Sequence, residues 1–92
     1  MTEHNIAGFE AELTDKGYEV ATKSMDPSME LDDHTHDFDV LGLVTSGEIS
    51  ITVDGKVLRY GSGDQFTMAA GCVHSEIVGP EGVTFVVGRR SP

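Results

Sequence analysis

The segment ISITVDGKVLRY, residues 49–60, constrains this chain most. Residues 48–53 alternate strictly: Ile49, Ile51 and Val53 fall on one side, Glu48, Ser50 and Thr52 on the other. A period of two is the mark of a half-buried strand. Asp54-Gly55 then separates this run from a second one, residues 56–60. An Asp-Gly pair suits the tight turn whose twist matches two antiparallel strands, because both residues tolerate positive φ. The expectation is an antiparallel hairpin, around which the rest must be built.

Similar short runs recur along the chain, at residues 18–25, 29–36, 40–45, 65–68, 74–78 and 83–88. Turn-forming residues separate them: Asp26-Pro27-Ser28, Ser46-Gly47, Gly61-Ser62-Gly63-Asp64, Gly71 and Gly79-Pro80-Glu81-Gly82. Eleven glycines in 92 residues fit so many turns. Residues 40–45 are apolar on both parities, so both faces of that strand need cover. Before the strands, Asn5 can cap a helix carrying Ile6, Phe9 and Leu13 at helical spacing, with Gly17 as its stop. Gly8 weakens that helix. The pattern gives an all-β antiparallel sandwich or barrel with one short N-terminal helix. Residues 1–17 are expected as a helical extension packed on the barrel, and residues 18–90 as the barrel itself. Leu41 and Leu43 need cover from that helix or from another subunit.

Net charge narrows the partners. The chain carries 16 acidic and 6 basic residues, a formal charge of −10. Phosphate backbones and anionic membranes are met by clusters of Lys and Arg. Arg89-Arg90 is an isolated pair, so neither nucleic acid nor a membrane surface is expected. No apolar run approaches the roughly 20 residues of a membrane span. The segment MTEHNIAGFEAEL has neither the basic nor the apolar region of an export signal, and a cytoplasmic location is expected. The single cysteine, Cys72, forms no intramolecular disulfide. It reads as a small buried residue rather than a nucleophile.

Chemistry is concentrated in the histidines. His34 and His36 stand one residue apart in LDDHTHDFDVLGLV. On a strand they would face the same side, where two imidazoles can converge on one ion about 2 Å from each nitrogen. The alternative is two hydrated polar residues at a strand end. His74 favours the metal: it follows the Gly71 turn at the start of another strand, and a barrel brings distant strands together. His4 is set aside as a tail residue. By parity Glu76 shares the face of His74, as a general base, a distant fourth ligand or an ordinary solvated glutamate. Asp32, Asp33 and Asp37 could orient the imidazoles through their carboxylates, or simply hydrate the strand end. Gly42 shares the inward parity and would leave space in the barrel, unless it serves twist or close packing. Phe66, Met68, Phe85 and Val87 read as core.

These residues resemble the two motifs of the cupin family. The first, G-x5-H-x-H-x3,4-E-x6-G, is matched in spacing by Ser28, His34, His36 and Gly47. The second, G-x5-P-x-G-x2-H-x3-N, is matched in spacing by Gly63, Ala69, Gly71, His74 and Val78. The resemblance covers about residues 25–88 and implies a jelly-roll type β-barrel. It also implies a divalent transition metal (Fe, Zn, Ni, Mn or Cu) held by His34, His36 and His74, a small organic molecule bound in the barrel, and a homodimer. One departure bears on function. The motif's acid, usually a metal ligand, is replaced by Val40, or by Leu41 with the longer spacing. Asp39 should face away unless a bulge re-aims it. Either three neutral imidazoles hold the metal, as in some cupin oxygenases, with Glu76 handling protons, or the site is weakened. The functions implied are a metal-dependent, oxygenase-like enzyme, a non-catalytic small-ligand binder, or a structural dimer with a degenerate metal site.

Overall fold

The computed structural model describes residues 5–92; His4 lies outside them. Helix α1, Ile6–Asp15, is followed by strands β1 Glu19–Met25, β2 Glu30–His34, β3 Asp39–Val53, β4 Lys56–Gly61, β5 Gln65–Met68 and β6 His74–Arg90. The Asn5 side chain accepts a hydrogen bond from the Gly8 amide at 3.0 Å and caps α1. Gly17, at φ +83°, ends it. Asp54 and Gly55 take φ of +52° and +77° in the β3–β4 hairpin, as a tight turn of this hand requires.

Strands β3 and β6 organise the molecule. They pair antiparallel from Asp39 opposite Arg90 to Thr52 opposite Ser75. Both bend midway, and each half takes a different outer neighbour. β1 and β5 flank the half that carries Val40 and Val87, while β2 and β4 flank the half that carries Ile51 and Glu76. The layers run β1-β6-β3-β5 and β2-β6-β3-β4, an antiparallel jelly roll formed by one folded sheet.

Two expected turns prove to be bends inside long strands. Ser46-Gly47 does not reverse the chain; β3 runs through it, with register shifts between Val44 and Ser46 and between Gly47 and Ile49. The residues Gly79-Pro80-Glu81-Gly82 likewise lie within β6, as the extra residues of that second shift. Glycine is needed at the corner. Gly47 has φ +74°, and a Cβ there would collide with the Gly82 carbonyl, so the two backbones cross in close contact. Proline is tolerated because a bulge frees its position from the ladder.

The main core fills the space between the layers, with Val40, Val44, Phe66 and Phe85 from one side against Ile49, Ile51 and Val78 from the other. A second cluster lies outside the first layer, where Phe9 and Leu13 of α1 cover Leu43 and Val86, with Leu41 packed against them. The helix therefore supplies the cover that Leu41 and Leu43 require. Ile6, despite its helical spacing, is 37% exposed. Among the described residues no helix is long and apolar enough to cross a membrane.

Candidate metal centre

His34 is the last residue of β2 and lies directly opposite His74, the first residue of β6. Leu31 pairs with Glu76, so β2 advances three residues where β6 advances two. Strict alternation from Leu31 would turn His34 away. The extra residue of this bulge re-aims it at His74. His36 is not on a strand, contrary to expectation: it lies in the connection between β2 and β3. Strand parity therefore does not align the pair. His36 is held instead by its carbonyl, which accepts from the Gly71 amide at 2.8 Å, and by its ring, stacked on Phe38 at 4.8 Å between centroids. The three rings still meet. Centroids lie 4.2 Å apart for His34–His74 and 5.2 Å for both other pairs. One nitrogen from each of the three lies within 4.8 Å of the others.

Backbone carbonyls fix two of the rings. His34 Nδ1–H donates to the Asp32 carbonyl at 2.7 Å, and His74 Nδ1–H donates to the Cys72 carbonyl at 3.1 Å. With the proton assigned to Nδ1, each Nε2 keeps its lone pair for the pocket. Of the two roles weighed for the aspartates, the hydrated strand end is the one found: Asp32, Asp33 and Asp37 are exposed, and Asp32 acts through its backbone, not its carboxylate. Cys72 is half-buried rather than buried, and its contribution is likewise its carbonyl.

Glu76 lies beside two of the three rings. Its Oε2 lies 3.0 Å from His34 Nε2 and 3.7 Å from His74 Nε2. Adjacent ligands about 2.1 Å from one ion stand roughly 3 to 3.6 Å apart at ordinary coordination angles. His74 is 1% exposed, and its Nε2 is a buried polar atom without a hydrogen-bond partner. Such an orphan is costly unless something binds it. Neutral imidazoles suit transition metals, and a carboxylate adds charge complementarity. The residues present thus fit a divalent transition ion at His34, His36 and His74, with Glu76 beside it. Burial, then the neighbouring His74 and His34, hold the pKa of His36 below its ordinary 6.5; this keeps the ring neutral, as a ligand must be.

Other expectations resolve plainly. Val40 is buried and lines the same cavity, so an apolar side chain stands where the first motif has its acid. Asp39 faces away, its Oδ1 accepting from the Ala70 amide at 2.9 Å. Gly42 leaves no space: the Phe66 ring opposite it in the β3–β5 ladder lies where its Cβ would be. The open volume lies nearer the histidines, as a cavity of about 370 Å³ walled by Met25, Phe38, Ile49, Phe66 and Phe85.

Among the cavity residues that escaped the sequence reading are Phe38, Lys23 and Arg89. Arg89 had a signal. It shares the parity of Phe85 and Val87, both core, so alternation along β6 turns it inward. Its guanidinium lies 5.3 Å from the Phe38 ring centroid.

Residues 22–87 match the family described as Cupin domain. No curated protein matches the chain. A solved protein of unknown function from Rhizobium leguminosarum bv. viciae superposes with a TM-score of 0.77 at 19% identity, over 100% of this chain and 98% of that one. A protein with a double-stranded β-helix domain from Klebsiella pneumoniae is 28% identical, with a TM-score of 0.66 over 77% of this chain and 64% of the other. The DMSP lyase DddQ from Ruegeria pomeroyi gives a TM-score of 0.72 at 19% identity, over 80% of this chain but only 38% of the lyase. With the two motifs, the folded jelly roll and a family match over most of its length, this chain belongs to the cupin family.

Proposed function

We propose that this chain is a metal-dependent cupin that binds a small organic molecule in its barrel and acts on it. The observation that carries this reading is the buried Nε2 of His74, without a hydrogen-bond partner and 3.7 Å from the carboxylate of Glu76, which lines the cavity together with His34 and His36. A divalent metal bound there would polarise a ligand oxygen or lower the pKa of bound water. The protein's own residues do the rest. The Asp32 and Cys72 carbonyls fix the two ring tautomers. Phe66, Phe85 and Ile49 exclude water from the inner wall, which strengthens every charge interaction beside them. Among the described residues, Glu76 is the one acidic side chain lining the cavity. With two oxygens, it can face the ion with one and hold or take a proton with the other. That arrangement supports proton transfer at a carbon or oxygen next to the bound group. The same fold carries a lyase in Ruegeria pomeroyi.

A second reading, oxygen-dependent chemistry at a three-histidine centre, is favoured by Val40. With no carboxylate at that position, only Glu76 offsets the ion's charge. Assays on diketones, thiols, sugars and hydroxy acids, read by oxygen uptake and by NMR of the products, separate the two. Conversion without oxygen uptake supports proton transfer. Uptake linked to product supports the oxygenase. A metal-loaded protein inert across a broad panel would favour a non-catalytic binder. The reading further holds the protein to be a cytoplasmic homodimer, which fractionation and light scattering test.

A further inference from the structure

The cavity's charge is opposite to that of the chain. Among the described residues, Glu76 is the one acidic side chain that lines it; of the 6 basic residues two do, Lys23 and Arg89. The remaining four are placed elsewhere. Lys16 pairs with Glu12 at 2.9 Å. Arg90 donates to the Lys16 carbonyl and stacks on Tyr18. Lys56 and Arg59 are exposed on β4. In a molecule of net charge −10, a half-buried Arg89 and an exposed Lys23 on the lining of one cavity are a specific arrangement.

Among the described residues, no carboxylate lies within ion-pair distance of Lys23 or Arg89. Glu19 stands opposite Arg89 in the β1–β6 ladder, yet the two form no ion pair. The Arg89 guanidinium instead lies over Phe38, whose ring also stacks on His36. A guanidinium lying over a ring keeps its donor edge free for a planar, bidentate acceptor. Lys23 lies on the same inner face, opposite Phe85. The same cavity also has apolar lining: Met25, Val40, Phe85 and Val87.

We propose that the pocket selects a small organic anion with an apolar body, a carboxylate read by Arg89 and seconded by Lys23, with its far end toward His34 and His74. This rests on the reading of the cavity as a small-molecule site, and it names the class of molecule. The attraction of both cations adds to the field of the metal, so a neutral or cationic molecule of equal shape is rejected.

Three probes of one apolar shape test it: phenylacetate, phenylacetamide and phenethylamine, titrated by calorimetry into metal-stripped and metal-loaded protein. Phenylacetate is expected to bind at least about tenfold more tightly than the amide, a difference of ~1.4 kcal/mol. The amine is expected to bind most weakly. The preference is expected in the metal-stripped protein too, weakening as salt rises. It should vanish in Arg89→Gln combined with Lys23→Gln and survive only in part in Arg89→Lys, which keeps the charge but loses the bidentate fork. That keeps it separate from the metal assignment: failure to bind metal leaves the anion preference standing. Equal binding of the three probes, no phenylacetate binding at millimolar concentration, or a preference that survives the double substitution would overturn it.

Discussion

Glu76 Oε2 lies 3.0 Å from His34 Nε2, although the two residues come from different strands and the family's usual acid position holds Val40. The Nδ1 proton of His34 is committed to the Asp32 carbonyl. The contact with Glu76 therefore needs a second proton or a cation between nitrogen and oxygen. A carboxylate on β6, two residues beyond His74, thus occupies the neighbourhood that the motif ordinarily serves from β3.

Glu76→Gln removes the charge and keeps the shape. Zinc or cobalt affinity is expected to fall at least about tenfold, on the scale seen for groups that support metal ligands. Calorimetric titration of metal into the stripped variant measures it. Unchanged affinity with lost turnover would make Glu76 a proton-transfer group alone.

His36 sets a pH dependence in the metal-stripped protein. Its folded pKa lies below the ordinary 6.5 because of burial first and its histidine neighbours second. The unfolded chain then takes up the proton more readily, so stability is complete above 6.5 and falls as pH drops through that value toward the folded pKa. Urea denaturation across this range should show the loss, and His36→Asn should reduce it.

Gly42 is occupied territory. Gly42→Ala drives a methyl into the Phe66 ring, and overpacking of this kind costs about 1–3 kcal/mol. Chemical denaturation checks it. Trimming the ring as well, in Gly42→Ala with Phe66→Leu, should cost less than the two single changes summed.

Ser28 carries φ +59° at the place where the first motif has glycine. A left-handed serine is strained, so Ser28→Gly should raise stability by about 0.5–1 kcal/mol after the added chain entropy of glycine is deducted. A shift of the urea midpoint with unchanged slope is the expected record.

Much of this was legible in the residues. The period-two runs, the Asp54-Gly55 turn and the Asn5 cap are local signals, and the runs they announce fall in strands, although those at 40–45 and 48–53 and at 74–78 and 83–88 each join into one and that at 29–36 ends at His34. The corners were not legible. Ser46-Gly47 and the segment from Gly79 to Gly82 have turn composition, but a bend between two layers and a chain reversal use the same residues. Only cross-strand pairing separates them. His36 shows the same limit. Its spacing from His34 fits a strand, yet the bulge between Leu31 and His34 and the Gly71 bond place it off the ladder. The rings converge because the Gly71 segment, distant in sequence, grips the loop. Arg89 could have been found by extending the alternation of Phe85 and Val87 by one step.

The most direct test is elemental analysis of untagged protein, purified without chelators and after exposure to iron, zinc, nickel, manganese and copper. One tightly held divalent ion per chain is expected, lost in His34→Ala and in His74→Ala while the fold persists by circular dichroism. A folded wild-type protein that retains no metal under any of these conditions, or folded variants that retain as much as the wild type, would contradict the assignment.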